Sequence, residues 1–209
     1  ADYYFDHRSD RDMPGALANS YLWYQKSVAD FGTADPRPTD AEKQVMLKKL
    51  GAANSLANND QEGRRSISPI PTTRDATGKL GGIYSSEFRS RGTFVGKVPI
   101  PVQFVVNEAT PTPLGEKSIQ ELAEAANKLE EMSLVGHADP RGSPEYNMEL
   151  SRKRVIAVRD ALVRLGVTAK ISVAWKGATE EYDWKTLSSG SPLTQEEIWQ
   201  LDRRVEWIW

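Results

Sequence analysis

The stretch from Gly136 to Arg154, GHADPRGSPEYNMELSRKR, decides how the second half of this chain folds. Its Asp139–Gly142 segment has Asp first, Pro second and Gly fourth, which is typical of a tight turn. Ser143-Pro144 then suits a helix N-cap followed by the first helical residue, and Gly166 suits the C-cap. The stretch predicts a strand end, a turn and a helix from Pro144 to Leu165. Asp139 is expected at the tip of the strand, and Arg154 about three turns into the helix.

Strands and helices alternate on both sides of this stretch. The apolar spacing and the capping residues predict strands over residues 102–106, 133–136, 171–175 and 205–209, and helices that begin near residues 112, 144 and 194. Strands separated by helices are typical of an α/β (α+β) sandwich in which the helices cover one face of the sheet.

Residues 1–97 are organised differently, and a loose boundary is placed near residue 97, before Pro99 and Pro101. The pattern predicts helices over residues 17–31 and 39–56 and short strands at residues 83–84 and 93–95. We therefore expect two domains: a mainly helical N-terminal region of unknown function, residues 1–97, and a second domain, residues 98–209.

The composition excludes several classes of protein. Hydrophobic residues make up 39% and charged residues 27% of the chain, which suits a folded globular protein. The net charge of −2 gives no support to nucleic-acid binding. There is no cysteine and there are only two histidines, so we expect no metal and no cofactor. No apolar run is long enough to span a bilayer and no signal peptide is seen, and the start at Ala1 suggests processing or excision from a longer protein.

The motif around Asp139 resembles the OmpA-like peptidoglycan-binding domain. The resemblance rests on Gly136-His137-Ala138-Asp139, Gly142-Ser143, Tyr146-Asn147 and Leu150–Arg154, followed about fifty residues later by Asp202-Arg203-Arg204-Val205-Glu206. It covers roughly residues 98–209 and implies a βαβαβ-type fold with a mixed four-stranded sheet. It implies nothing about residues 1–97.

The resemblance also implies a ligand, the diaminopimelate of the peptidoglycan stem peptide, whose free end carries an ammonium and a carboxylate. Asp139 would accept the ammonium and Arg154 would hold the carboxylate with its planar fork. The other expected site residues are Asn107, Asn147, Ala138, Leu150 and Arg204, with Asn107 at the end of the first strand and Leu150 in the core beneath the pocket. Without the resemblance, Asp139 would be read as a turn residue and Arg154 as a solvated helix residue.

The sequence departs from the family pattern at several positions. Ala138 stands where Thr is usual, and Asp202 where Asn is usual. The segment from Gly177 to Pro192 looks like an insertion. This insertion or residues 1–97 would serve a protein partner if the domain has diverged into an interaction module of an envelope machine, which is the alternative function.

No catalytic residues are expected, because the chain lacks a Gly-rich phosphate loop, Gly-x-Ser-x-Gly and His-Glu-x-x-His. The resemblance implies a non-catalytic module that anchors an envelope protein to the cell wall, in the periplasm of a Gram-negative cell. An accessory role for an activity outside this chain remains a further alternative.

Overall fold

The computed structural model describes residues 1–13, 15–29, 34, 36–64, 89–90, 93–94, 101–183 and 192–208. The chain divides into two compact units whose segments interleave along the sequence. Unit 1 contains residues 1–58, 67–98 and 183–193, and unit 2 contains residues 59–66, 99–182 and 194–209. The predicted boundary near residue 97, and with it the independent folding of residues 98–209, stays a prediction.

Unit 1 is built mainly from helices. They are α1 (Asp2–Asp6), α2 (Ala16–Ala29) and α3 (Asp40–Asn58), and a two-stranded ribbon joins β1 (Arg89–Ser90) to β2 (Thr93–Phe94). Phe5, Tyr21, Tyr24 and Leu50 are buried, and the Tyr24 hydroxyl donates to Asp2 at 2.7 Å. The predicted helical N-terminal region is thus confirmed. Phe31, Ile83-Tyr84 and Val95 lie outside the described residues.

Unit 2 contains a mixed four-stranded sheet, as predicted. Its elements are β3 (Val102–Gln103), α4 (Pro113–Ala126), β4 (Glu131–Gly136), α5 (Pro144–Arg164), β5 (Lys170–Trp175), α6 (Gln195–Asp202) and β6 (Arg204–Ile208). The strand order is β3-β6-β4-β5. β4 and β5 are parallel, whereas β6 runs antiparallel to both β3 and β4.

A single apolar core lies between the sheet and the helices α4 and α5. Leu122 from α4, Leu134 from β4 and Val158 and Leu162 from α5 are almost completely buried in it. The contact is tight at Gly136, where a Cβ atom would collide with the backbone oxygen of Ser151. Glycine at the end of β4 therefore lets α5 cross directly over the strand from which Asp139 follows.

The first strand is shorter than predicted. The sequence suggested a strand over residues 102–106 that ends at Asn107, but β3 stops at Gln103. Beyond it the chain folds back on itself: the Val105 amide donates to the Thr110 carbonyl at 3.0 Å. Asn107 lies in this loop with a φ of 56°. The Val105 amide is bound to Thr110 and the Val106 amide to the Glu62 carbonyl at 2.9 Å, so neither is available to continue the ladder with β6.

The other boundaries differ by a few residues. β4 begins at Glu131, two residues earlier than expected, and β6 is described as far as Ile208. Within the described residues, none of the helices is both long enough and apolar enough to cross a membrane.

Candidate functional site

Asp139 lies where the chain leaves the sheet. The Ala138 amide donates to the Gly177 carbonyl at 2.8 Å, which holds the end of β4 in place. The turn then closes, with the Gly142 amide donating to the Pro140 carbonyl at 3.0 Å. Ser143 caps α5 by accepting from the Tyr146 amide at 3.1 Å. The local signals in the sequence thus place Asp139 between the end of β4 and the start of α5.

Two arginines that lie outside the predicted site contact the Asp139 carboxylate. Arg141 forms a two-point contact, with Nε at 3.0 Å from Oδ1 and Nη2 at 2.9 Å from Oδ2. Its backbone amide also donates to Oδ1 at 3.2 Å. Arg203 Nη1 lies 3.4 Å from Oδ2. The side chain of Asp139 is 7% exposed and that of Arg203 is 1% exposed, whereas that of Arg141 is 34% exposed.

These contacts keep Asp139 ionised. Burial alone would raise the pKa of Asp139, but the hydrogen bonds and the charge of Arg141, with a smaller effect of Arg203, bring the pKa below its ordinary value. Arg141 gains from the same pair, and its pKa is raised by the hydrogen bond to Asp139. The centre of the site is therefore a carboxylate at neutral pH.

Arg203 is held by the backbone around it. Its guanidinium donates to the carbonyl groups of Phe104 at 3.3 Å, Trp199 at 3.0 Å and Gln61 at 2.5 Å. Burial lowers the pKa of Arg203, and the charge of Asp139 opposes that shift. Arg203 thus joins the β3 end, α6 and the 59–66 segment of unit 2 beneath Asp139.

Arg154 is completely buried in α5. Its Nε donates to the Glu108 carbonyl at 3.0 Å, Nη1 to the His137 carbonyl at 3.1 Å and Nη2 to the Val105 carbonyl at 3.1 Å. The guanidinium carbon lies 5.4 Å from the centre of the Phe104 ring, within the range of a cation–π contact. These bonds use three of the five N–H groups of an arginine and leave one hydrogen on each Nη atom for a further acceptor.

The buried charges in this region do not balance. Burial and the charge of Arg203 lower the pKa of Arg154 to about 9, and the charge of Asp139 opposes this shift. Both guanidiniums remain protonated at neutral pH, so two buried cations accompany one buried carboxylate. A second carboxylate brought into such a site would be stabilised by the positive charge and by the remaining donors.

The structure distributes the other predicted site residues around this centre. Asn107 is exposed, and its carbonyl lies 3.5 Å from the Tyr146 hydroxyl. Asn147 is buried against the turn, where its Oδ1 would be 2.8 Å from a Cβ atom at Gly142. Ala138 and Leu150 are buried.

Arg204 points to a separate polar cluster. Its Nε donates to Glu206 Oε1 at 2.7 Å, and its Nη1 lies 3.7 Å from Asp202 Oδ1. Arg203, the residue before it, is the one that contacts Asp139. The sequence does carry the pair Arg203-Arg204, but only the point at which α6 ends and β6 begins decides which side chain faces the site.

Two titratable groups in the Arg204 cluster have strongly shifted pKa values. Burial and the charge of Arg204 lower the pKa of His137 to about 4, so this histidine is neutral at pH 7. Burial raises the pKa of Asp202 to about 6, against a hydrogen bond from the Tyr182 amide and the charge of Arg204. Across the part of the chain that the structure describes, no group of three or more His, Cys, Asp or Glu residues is placed to hold a metal ion.

The fold and the site together define a small α+β domain whose polar centre lies at a strand end and a helix start. Residues 103–192 match the model of the OmpA family, so this part of the chain is an OmpA-family domain. The resemblance inferred from the motif is therefore confirmed over these residues.

Two curated proteins of Porphyromonas gingivalis are similar to this chain. Outer membrane protein 40 is 36% identical over 83 residues, which are 38% of this chain and 22% of that protein. Outer membrane protein 41 is 48% identical over 50 residues, which are 23% of this chain and 13% of that protein. The similarity thus spans less than a quarter of the length of either relative.

Solved structures resemble the chain over about half its length. The peptidoglycan-associated lipoprotein from Burkholderia pseudomallei is 25% identical and covers 52% of this chain and 87% of its own, with a TM-score of 0.44. The C-terminal domain of Helicobacter pylori MotB is 19% identical and covers 52% of this chain and 81% of its own, with a TM-score of 0.42.

Proposed function

We propose that the OmpA-family domain binds peptidoglycan non-catalytically, through the diaminopimelate of the stem peptide, and so attaches an envelope protein to the cell wall. The observation that carries this proposal is the buried Asp139 carboxylate with two buried guanidiniums beside it. An ammonium group would pair with Asp139, and the carboxylate on the same carbon would meet the excess positive charge. The zwitterionic end of diaminopimelate has both groups.

Asp139 and Arg154, the two residues predicted to bind the ends of the ligand, have different roles. Both carboxylate oxygens of Asp139 accept from the partly exposed Arg141, so a ligand would approach Asp139 from the side of Arg141. Arg154 already holds the carbonyls of Val105 and Glu108, and it therefore also anchors the loop that contains Asn107. In this proposal Arg154 contributes its charge and its remaining donors to the ligand carboxylate.

The first prediction tests binding by sedimentation with purified sacculi that contain diaminopimelate. Asp139→Asn keeps the size of the side chain but removes the charge. Removing one partner of a desolvated charge pair costs about 2–5 kcal/mol, so we expect a loss of at least about tenfold in affinity. The matched control is Asp160→Asn, since Asp160 lies on α5 and pairs with Arg159 at the surface. Equal sedimentation of the parent and Asp139→Asn would refute the assignment.

Titration calorimetry with small ligands tests the same site for its ligand class. Free diaminopimelate is compared with its amidated form and with lysine, which lacks the second carboxylate. Leaving a buried charged donor unpaired costs about 1–3 kcal/mol, so the preference for diaminopimelate should be about tenfold. Equal affinities for all three ligands would show that no cation at the site binds the second carboxylate of diaminopimelate. Arg154 would then be only a loop anchor.

The envelope location follows from the same proposal. The matched relatives are named as outer membrane proteins, and a module that binds the cell wall would work in the periplasm. The alternative, a diverged domain that binds a protein through residues 1–97 or the 177–192 segment, predicts capture of a protein and no sedimentation with sacculi. Residues 184–191 of that segment lie outside the described residues.

A further inference from the structure

The Asp139 carboxylate is already occupied by a cation from its own chain. Arg141 binds both oxygens of Asp139, at 3.0 and 2.9 Å, and with its backbone amide on Oδ1 and Arg203 on Oδ2 four donors occupy the acceptor positions of the carboxylate. A ligand ammonium needs the same oxygen atoms. The proposed ligand and Arg141 therefore cannot both bind Asp139 in this way.

Of the two arginines at Asp139, only Arg141 is placed to leave. Arg203 is 1% exposed and donates to three backbone carbonyls that come from different segments. Arg141 is 34% exposed, and within the described residues its guanidinium contacts, besides Asp139, two side chains of α6: Glu196, at 3.8 Å from Nη1, and the Trp199 ring, 4.8 Å from the guanidinium carbon. Within the described residues, a rotation of the Arg141 side chain breaks no hydrogen bond from its guanidinium to the backbone.

The surface of α6 already contacts the Arg141 guanidinium and can retain it after it leaves Asp139. Glu196 supplies a half-exposed carboxylate, and Trp199 supplies an aromatic face on which a guanidinium can stack. An arginine that moves away from Asp139 therefore keeps an anion and a ring within reach. This lowers the free energy needed to open the site.

We propose that Arg141 is a built-in competitor that closes the Asp139 site in the free protein and that it moves off Asp139, while keeping its contacts with Glu196 and Trp199, when the ligand ammonium binds. The inference rests on the proposed function, because it takes Asp139 as the ammonium acceptor. When the binding-competent state is only partly populated, the apparent affinity falls by that fraction. Removing Arg141 should therefore strengthen binding, although it removes a charged residue from the site.

The test is calorimetric titration of diaminopimelate into the parent chain, Arg141→Gln, Arg152→Gln and Asp139→Asn. Arg152 is the matched control, because it forms the same two-point contact with Glu149, at 2.8 and 2.9 Å, on the exposed surface of α5. We expect Arg141→Gln to bind at least about threefold more tightly than the parent, Arg152→Gln to bind equally and Asp139→Asn to lose binding. Arg141→Lys keeps the charge but not the two-point contact, and its affinity should lie between those of the parent and Arg141→Gln.

The outcomes separate this inference from the proposed function. If Asp139→Asn loses binding while Arg141→Gln binds as the parent or more weakly, the competitor role is overturned and the proposed function stands. Weaker binding would mean that Arg141 contacts the ligand. If Arg152→Gln raises the affinity for diaminopimelate as much as Arg141→Gln does, the gain is a general effect of removing a positive charge, and the competitor role of Arg141 is overturned. If none of the five proteins binds diaminopimelate, both the inference and the ligand assignment fail.

Discussion

At the scale of single residues, Asp202 stands where the family pattern has Asn, and burial disfavours the ionised form of its carboxyl group. The pKa of Asp202 is about 6 in the folded chain, above its ordinary value of 3.8. Such an acid stabilises the fold when it is protonated. That contribution is complete below pH 4 and is lost as the pH rises through 6.

We therefore predict that Asp202→Asn stabilises the protein at pH 7. Asn keeps the oxygen that accepts from the Tyr182 amide at 2.7 Å, and it removes the charge that burial disfavours. The pKa shift corresponds to about 1–3 kcal/mol of unfolding free energy at pH 7 and to almost nothing at pH 4. Denaturant unfolding of the parent and the variant at pH 7 and at pH 4 measures the difference in unfolding free energy at each pH. A variant less stable than the parent at pH 7 would mean that the attraction to Arg204 outweighs burial.

The site could be predicted from the sequence only in part. A pattern of residues adjacent in the sequence predicts local structure, but it does not predict contacts that depend on how side chains or distant segments fold. The turn and cap residues around Asp139 are neighbours in sequence, so their pattern placed it at the strand end. Arg141 is also local, but nothing in its position says that its side chain folds back onto Asp139. The choice between Arg203 and Arg204 depends on the exact end of α6, because adjacent residues point in different directions.

At the scale of elements, the three helices of unit 2 were predicted well because each begins with its own cap. Thr112, Ser143 and Thr194 all accept a hydrogen bond from a backbone amide of the first turn. The first strand was predicted too long because four of residues 102–106 are apolar and favour a strand. The fold-back that ends it depends on a hydrogen bond to Thr110, which periodicity does not report.

Helix α6 is tested separately because it carries Glu196 and Trp199 and is followed directly by Arg203. Thr194 and Glu197 form a reciprocal capping box at its start. Thr194→Ala should lower the unfolding free energy by about 0.5–2 kcal/mol, since it leaves backbone donors of the first turn without an acceptor. Thr168→Ala, at an exposed position outside the helices, is the control. Identical melting curves for the two variants would show that the cap contributes nothing to the fold.

At the scale of the whole molecule, the assignment of residues 59–66 to unit 2 was not predicted. The sequence marks this polar segment only as the end of the second helix. Two of its contacts with unit 2 use its backbone: the Gln61 carbonyl accepts from Arg203, and the Glu62 carbonyl accepts from the Val106 amide at 2.9 Å. Backbone acceptors are the same for every residue type, so composition cannot reveal them.

We predict that a fragment of residues 98–209 folds alone, and that a fragment of residues 59–209 is more stable. The shorter fragment lacks the Gln61 carbonyl and leaves an Arg203 donor without that acceptor. An unsatisfied buried donor costs about 1–3 kcal/mol, and thermal or denaturant unfolding of the two fragments measures the difference. Equal stability would show that water replaces the segment, and an unfolded shorter fragment would place residues 1–97 in the same cooperative core.

The bonds made by Arg154 also bear on how the domain is made. Its guanidinium joins α5 to carbonyls that lie 17, 46 and 49 positions earlier in the chain. A chain in which only α5 has formed carries Arg154 but none of its three acceptors in place. Contacts between segments so far apart require large loops to close, which is the slow part of folding. The arrangement of Arg154 and its three carbonyl acceptors is therefore complete only when the whole domain has folded, and under the proposed function a half-folded chain would not bind the cell wall.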